Sequence, residues 1–263
     1  MKRLFICFSL FVFASICFAQ DAWKITASNV DTKNYYGVTV ANGMLGIVSS
    51  PEAFKVKDVV LAGAYDLYGR GRVSNFLKSF NLLNMYMEVD GRRLSNSDVN
   101  SLQQSLDMKT ANFTTSFNYK DIATVSYTYY ALRQLPYAVL MDITVTAKKD
   151  LNLGSASVME APDALKDVQN YYNEIDRPHT TISLLTSTAK SPTGKLLMCA
   201  SNAFIFSETH GSEPRVIHEM WDNNMHLMKF AKKIKAGETY RYSIVGTSIS
   251  SAHHDDPLNE AER

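Results

Sequence analysis

An all-β fold, a large two-sheet antiparallel sandwich, is what this sequence predicts, and three observations carry it. Short segments rich in Tyr, Thr and Val alternate apolar with polar residues, the period of strands with one buried face. Turn chemistry recurs between them, with Asn42-Gly43, Asp90-Gly91, Pro192-Thr193-Gly194 and Ala236-Gly237-Glu238 as its clearest forms. A helical period is absent until the last few residues. Such strands need a partner sheet to cover their apolar faces, which makes a sandwich the economical solution.

The chain opens on a leader. Lys2-Arg3, an apolar run from Leu4 to Phe18 and the small residue Ala19 have the three parts of a secretory signal peptide, so residues 1–19 are expected to be removed and the protein to be secreted or periplasmic. A membrane anchor is the weaker alternative, because the run is shorter than a bilayer needs. A lipoprotein reading of Ala14-Ser15-Ile16-Cys17 ranks behind cleavage, since Ile stands where such signals want a small residue. The remaining stretch, about 244 residues, suits one domain over 20–252. Cys7 and Cys17 leave with the leader, so Cys199 stands alone and stability must come from packing. The net charge of +1 and the lack of any basic run argue against nucleic acid or an anionic membrane as partner, and favour a neutral ligand.

In order, Trp23–Thr26 and Tyr36–Val40 read as strands, and Asn42-Gly43 turns the chain into Leu45–Ser49 in what looks like a type I′ hairpin. Pro51 ends that strand. Val56–Leu61 is the next strand, and Gly63 to Asn81 reads as a long loop. Met85–Val89 turns at Asp90-Gly91 and returns through Arg92–Leu94. Leu102–Lys109, Phe113–Tyr119, Ala123–Arg133 and Tyr137–Ala147 form a meander in which Val125, Tyr127 and Tyr129 face one way and Thr124, Ser126 and Thr128 the other. Val139, Met141, Ile143 and Val145 likewise oppose Leu140, Asp142, Thr144 and Thr146. The segment 161–176 breaks the period and reads as an excursion with a helical turn after Pro162. Thr180–Leu185, Lys195–Ser201, Ala203–Phe206, His226–Ile234 and Tyr240–Ile249 complete the strands. Asp256 as N-cap and Pro257 at the first helical position then start a helix over 253–263 whose continuation is expected beyond this sequence.

Candidate chemistry is sparse. His253-His254-Asp255-Asp256 reads as a cap and turn rather than a metal cluster, and no metal or cofactor is expected. His210, His218 and His226 recur every eight residues, a spacing that keeps strand side chains on one face; dispersed surface histidines are the simpler reading. The carboxylates Asp66, Glu88, Glu160, Glu174, Glu208 and Glu219 are scattered, so spacing nominates no pair of the kind sugar cleavage needs. Gly69-Arg70-Gly71-Arg72 lacks the strand-to-helix setting of a phosphate loop. Trp23, Trp221 and Tyr171-Tyr172 offer aromatic faces on which a sugar could stack, although core or cross-strand roles are commoner. Asn112-Phe113-Thr114 matches a glycosylation sequon and reads as a strand residue.

The order Asn42-Gly43-x-Leu45-Gly46, Leu61-Ala62-Gly63-x-Tyr65-Asp66, Asp90-Gly91, Leu106-Asp107-Met108-Lys109, Phe117 and the Arg133 to Ala147 strand pair resembles the N-terminal domain of glycoside hydrolase family 65, which holds maltose, trehalose and kojibiose phosphorylases and some α-glucoside hydrolases. The resemblance implies a galactose-mutarotase-like super-sandwich followed by a helical linker and a catalytic (α/α)6 barrel. This sequence lacks that barrel, so no catalytic residue is transferred. The domain would pack on the barrel, support oligomer contacts such as a homodimer, and lend the loop after Gly63 to the rim of a pocket for α-linked glucosides. Tyr65, Asp66, Arg70, Arg72 and Trp221 are the candidate rim or carbohydrate-binding residues. The loop departs from the family in lacking a Pro-rich segment before the Asp90 strand. Together with the leader, the resemblance points to part of a secreted hydrolase; the N-terminal domain of a disaccharide phosphorylase and a free-standing carbohydrate-binding module are the alternatives. A sandwich enzyme of the epimerase or lyase type, with His218 and Glu219 or His210 and Glu208 moving protons, ranks last.

Overall fold

A computed structural model describes residues 22–69, 73–209 and 211–263. The leader, Arg70, Arg72 and His210 therefore lie outside the described residues. Eighteen strands make three antiparallel sheets. In chain order they begin with β1 (Lys24–Ala27), β2 (Thr39–Ala41), β3 (Leu45–Ser49), β4 (Val56–Leu67), β5 (Ser74–Lys78), β6 (Asn81–Val89) and β7 (Arg92–Arg93). After the 3-10 turn Asn96–Asp98 come β8 (Val99–Asp107), β9 (Asn112–Tyr119), β10 (Ala123–Ala131), β11 (Ala138–Ala147) and β12 (Leu151–Glu160). The chain closes with β13 (Lys166–Arg177), β14 (Thr180–Lys190), β15 (Leu197–Phe206), β16 (Ile217–Met220), β17 (Met225–Ile234), β18 (Thr239–Ser250) and the helix α1 (Pro257–Glu262).

The expected sandwich has one refinement. One layer is a nine-stranded sheet in the order β1-β8-β9-β10-β11-β18-β15-β14-β13, while the facing layer is divided into a five-stranded sheet, β16-β17-β12-β6-β7, and a four-stranded sheet, β2-β3-β4-β5. The two smaller sheets abut where Val56 N donates to Asn84 Oδ1 and Met85 N to Phe54 O. The meander behaves as its alternation requires: Val125, Tyr127, Tyr129, Val139, Met141, Ile143 and Val145 are all buried.

Three expectations change. Gly63 to Asn81 is not a loop, because β4 runs on to Leu67 and pairs with β5, Tyr65 facing Phe76 and Leu67 facing Ser74. The segment 161–176 is mostly strand: after a turn closed by Leu165 N to Pro162 O, β13 forms the outer edge of the large sheet, largely exposed as an edge strand is, with Val168 and Tyr172 packed on the core. At Asn42-Gly43 only the glycine takes a positive φ, of 97°, whereas a type I′ turn needs two. Asn42 instead accepts from Met44 N and Leu45 N through Oδ1 and donates through Nδ2 to Leu132 O and Pro136 O, tying this hairpin to the β10–β11 connection. Besides β5 and β13, the structure adds two strands that the sequence pattern does not predict, β12 and β16, and the two segments expected between Lys195 and Phe206 are one strand.

The core is one large cluster spanning both layers. At its centre Phe230 of β17 touches Phe204 and Phe206 of β15 edge to face at 5.0 and 4.9 Å, and Tyr240 and Tyr242 of β18 at 6.2 and 4.9 Å. Ser155 of β12 and Tyr242 share a 2.6 Å hydrogen bond beside it, and Asn202 of β15 donates to Leu82 O and Ser157 Oγ across the same gap. The C-terminal helix is capped as expected, Asp256 accepting from Asn259 N, and rests on the large sheet through Leu258 and Ala261. Replacing Phe230 with Ala should cost about 3–5 kcal/mol, the range for emptying a buried aromatic site, while Leu should cost less than half of that. Urea unfolding followed by tryptophan fluorescence would measure both.

Candidate functional site

The hairpin β4–β5 and the β12–β13 turn enclose a groove of about 410 Å³. Its hairpin wall carries Tyr68 and Phe76, its opposite wall Glu160, Pro162 and Asp163, and its floor Asn81 and Asn84. Asn84 is fixed by the Val56 N bond and approaches Glu160 Oε2 through Nδ2 at 3.4 Å; Lys78 and Asp58, paired at 2.6 Å, stand at the margin. A wall of aromatic rings facing carboxylates and amides suits a neutral polyhydroxylated ligand, since rings cover the apolar face of a sugar and the polar groups take its hydroxyls.

The expected site residues are distributed as follows. Tyr65 lies on β4, about half exposed, with its ring edge to face against Phe76 at 5.6 Å. Around them Leu67, Tyr68 and Val73 are also exposed, giving the hairpin an apolar surface. Asp66 points the other way and is 3% exposed. Its carboxylate accepts from Thr193 N at 2.8 Å, from Thr193 Oγ1 at 2.6 Å and from its neighbour Leu67 N at 2.7 Å, so it ties the hairpin to the β14–β15 turn. Burial works to raise its pKa, but hydrogen bonds from Ser191, Thr193 and Leu67 outweigh this and hold the carboxyl well below the usual range. It stays an anion and cannot serve as a proton donor.

Trp221 follows β16 on the five-stranded sheet, stacked on Tyr86 with centroids 5.7 Å apart and ring planes 12° from parallel. Arg93 lies over Tyr86 at 4.2 Å and over Trp221 at 5.5 Å. Trp221 is nonetheless 44% exposed. The hairpin and Trp221 thus sit on different sheets, and the groove beside the hairpin rather than a single cluster is what the fold builds.

The other candidates resolve into structural roles. Glu219 pairs with Lys229 at 2.5 Å and Glu208 with Lys232 at 2.6 Å. Glu174 accepts from Tyr172. His253 packs against Tyr137 and bonds Ser250, and a side chain at Gly63, whose φ is +79°, would come within 3.0 Å of its ring. Among the described residues no group of three or more His, Cys, Asp and Glu side chains could hold a metal. Contrary to the dispersed reading, His218 and His226 meet, and His226 is fully buried. The groove itself escaped sequence reasoning, because its walls lie about a hundred residues apart and no local pattern joins them.

Comparison with known proteins now decides the family. The model for the glycosyl hydrolase family 65 N-terminal domain matches residues 36–263. The chain belongs to glycosyl hydrolase family 65. Two relatives, each named kojibiose hydrolase, come from Mucilaginibacter mallensis and Flavobacterium johnsoniae. The first is 66% identical over 245 residues, 93% of this chain and 36% of the relative. The second is 48% identical over 259 residues, 97% of this chain and 38% of the relative. A solved structure provisionally assigned as a kojibiose phosphorylase from the human microbiome superposes with a TM-score of 0.70 at 11% identity, over 91% of this chain and 35% of its own. That likeness shows the fold. This family 65 chain spans little more than a third of the relatives it matches.

Asp66→Asn should lower the urea midpoint at neutral pH. The folded pKa of Asp66 lies below the unfolded value near 3.9, so its contribution is complete above about pH 4 and is lost as pH falls through the lowered folded value. The difference between wild type and variant should therefore narrow below about pH 4, which urea titrations at several pH values would show.

Proposed function

We propose that this chain is the non-catalytic N-terminal domain of a secreted α-glucoside hydrolase acting on kojibiose, an α-linked glucose disaccharide. The observation that carries this reading is the 66% identity to a kojibiose hydrolase over 93% of the chain. The Lys2-Arg3 leader supports export. Export in turn favours hydrolysis, because a phosphorylase conserves bond energy as a sugar phosphate that is useful inside the cell. In this reading the remainder of the enzyme supplies the catalytic carboxylates and covers the exposed Leu67 and Val73 of the hairpin, apolar surface that water disfavours.

The hairpin is then the rim of the substrate pocket, with Tyr65 as its sugar-facing ring, Arg70 and Arg72 in its connection, and Asp66 as the anchor that sets its angle. Trp221 serves as a secondary sugar contact.

Assaying the complete enzyme on kojibiose with and without inorganic phosphate tests the reaction. Two glucose molecules per kojibiose, independent of phosphate, are expected; glucose 1-phosphate as product would overturn the hydrolase reading. Tyr65→Ala in the complete enzyme should raise KM roughly five- to tenfold, the loss of about 1 kcal/mol of sugar stacking, and leave kcat within about twofold. An unchanged KM would remove the hairpin from the rim.

A further inference from the structure

His218 and His226 meet at a seam between layers. β13 and β14 belong to the nine-stranded sheet and β16 and β17 to the five-stranded one, and a line of polar side chains joins them. Asn170 of β13 donates through Nδ2 to Asn223 O at 3.0 Å, which leaves its Oδ1 for Ser187 of β14. Ser187 Oγ donates to that oxygen at 2.7 Å. A hydroxyl has one proton, so Ser187 can only accept at its 2.9 Å contact with His226 Nε2. His226 consequently carries its proton on Nε2 and presents a bare Nδ1 to His218 Nε2, 3.2 Å away, which must donate. The direction His218 to His226 to Ser187 to Asn170 is fixed throughout.

Little around this chain could balance a charge on the inner ring. His226 is fully buried and Ser187 nearly so. From β16 it meets His218, with Met220 as its cross-strand neighbour; from β14 the Ser187 hydroxyl; on β12 its cross-strand neighbour is Met159. From β13 comes Tyr172, stacked flat on His218 at 4.8 Å with its hydroxyl on Glu174 and Ser183, and Arg215 adds a positive charge near that phenol. Among the described residues no carboxylate contacts either imidazole. Burial, and then the neighbouring His218, push His226 down to about 3, and burial lowers His218 as well. A proton on His226 Nδ1 would also set N–H against N–H.

We infer that this chain is an acid-opened latch: at neutral pH it clamps the edge hairpin β13–β14 to β16–β17, and uptake of one proton by His226 in the released state holds the seam open. The open imidazole has an ordinary pKa near 6.5, so the latch is at full strength above that pH and weakens about tenfold in its closing equilibrium for each unit below it.

Hydrogen–deuterium exchange of the full chain between pH 7.5 and 4.5, corrected for intrinsic rates, tests this. Peptides over 166–177 and 217–220 should open about 100-fold more at pH 4.5 than at pH 7.5, while those over 123–131 and 138–147 stay protected. His226→Gln can donate to Ser187 and accept from His218 without titrating, and should abolish the acid response. Equal pH dependence in all four regions, or acid opening that persists in the Gln variant, would overturn the latch. Should His226→Gln fail to fold, Ser187→Ala provides the second test: it should open the seam already at pH 7.5, and full protection there would equally overturn the proposal. These readouts need no turnover, so the enzymatic reading stands or falls separately.

Discussion

The aromatic cluster around Phe230 is the contact on which the rest of this fold depends. Cys199 is buried and is the one free cysteine among the described residues, so no cross-link holds the layers. They are held by burial, and at Phe230 four rings from β15 and β18 meet one from β17. Burial also disfavours ionising the Tyr242 phenol, which keeps it neutral and able to hydrogen-bond Ser155. A polar bond so placed adds direction to a contact that is otherwise greasy and free to slide.

With the layers fixed, the periphery can carry polar ties that would be too weak to build a fold. Asp66 anchors the hairpin to the β14–β15 turn, Asn42 anchors the first hairpin to the β10–β11 connection, and Asp98 gathers Ser95, Arg92 and Lys120 around the 3-10 turn. The Asp66 and Asn42 ties join segments distant in sequence. Of the candidate carboxylates, Asp66 serves such a tie, Glu174 accepts from Tyr172, and Glu208 and Glu219 form ion pairs, while Glu160 lines the groove. What is left free is the apolar hairpin and the groove beside it.

How much of this was legible depends on whether a residue's role is local. The meander read cleanly because one face of each strand is wet and the other dry, so period 2 is printed in β10 and β11. Helix α1 read cleanly because Asp-Pro is a complete local signal. Strand β12 is buried along most of both faces and fills them with Gly154, Ser155, Ala156 and Ser157, so neither alternation nor bulk marked it. β13 is hidden for the opposite reason: as a largely exposed edge strand it sets only Val168 and Tyr172 against the core, too few to print a period. β15 appeared broken at Ser201-Asn202, yet Asn202 is buried and spends its amide between layers. The Gly-rich look of 63–72 suggested a loop, but Gly63 is there so that β4 can pass His253.

The histidines sharpen that lesson. Their eight-residue spacing was visible, and on one continuous strand it would place both rings on the same face at a separation too great for contact. A turn at 221–224 folds the spacing back on itself, so that the two rings come within hydrogen-bonding distance on neighbouring strands. Sequence distance alone could not distinguish these cases, since the turn residues Asp222, Asn223 and Asn224 would have to be read first as a reversal. Once they are, Asn223 is more than a turn former: its carbonyl orients Asn170, and that orientation sets the tautomer of a buried imidazole two bonds further along the chain of donors. The tautomer at the seam is thus decided by backbone geometry at a hairpin.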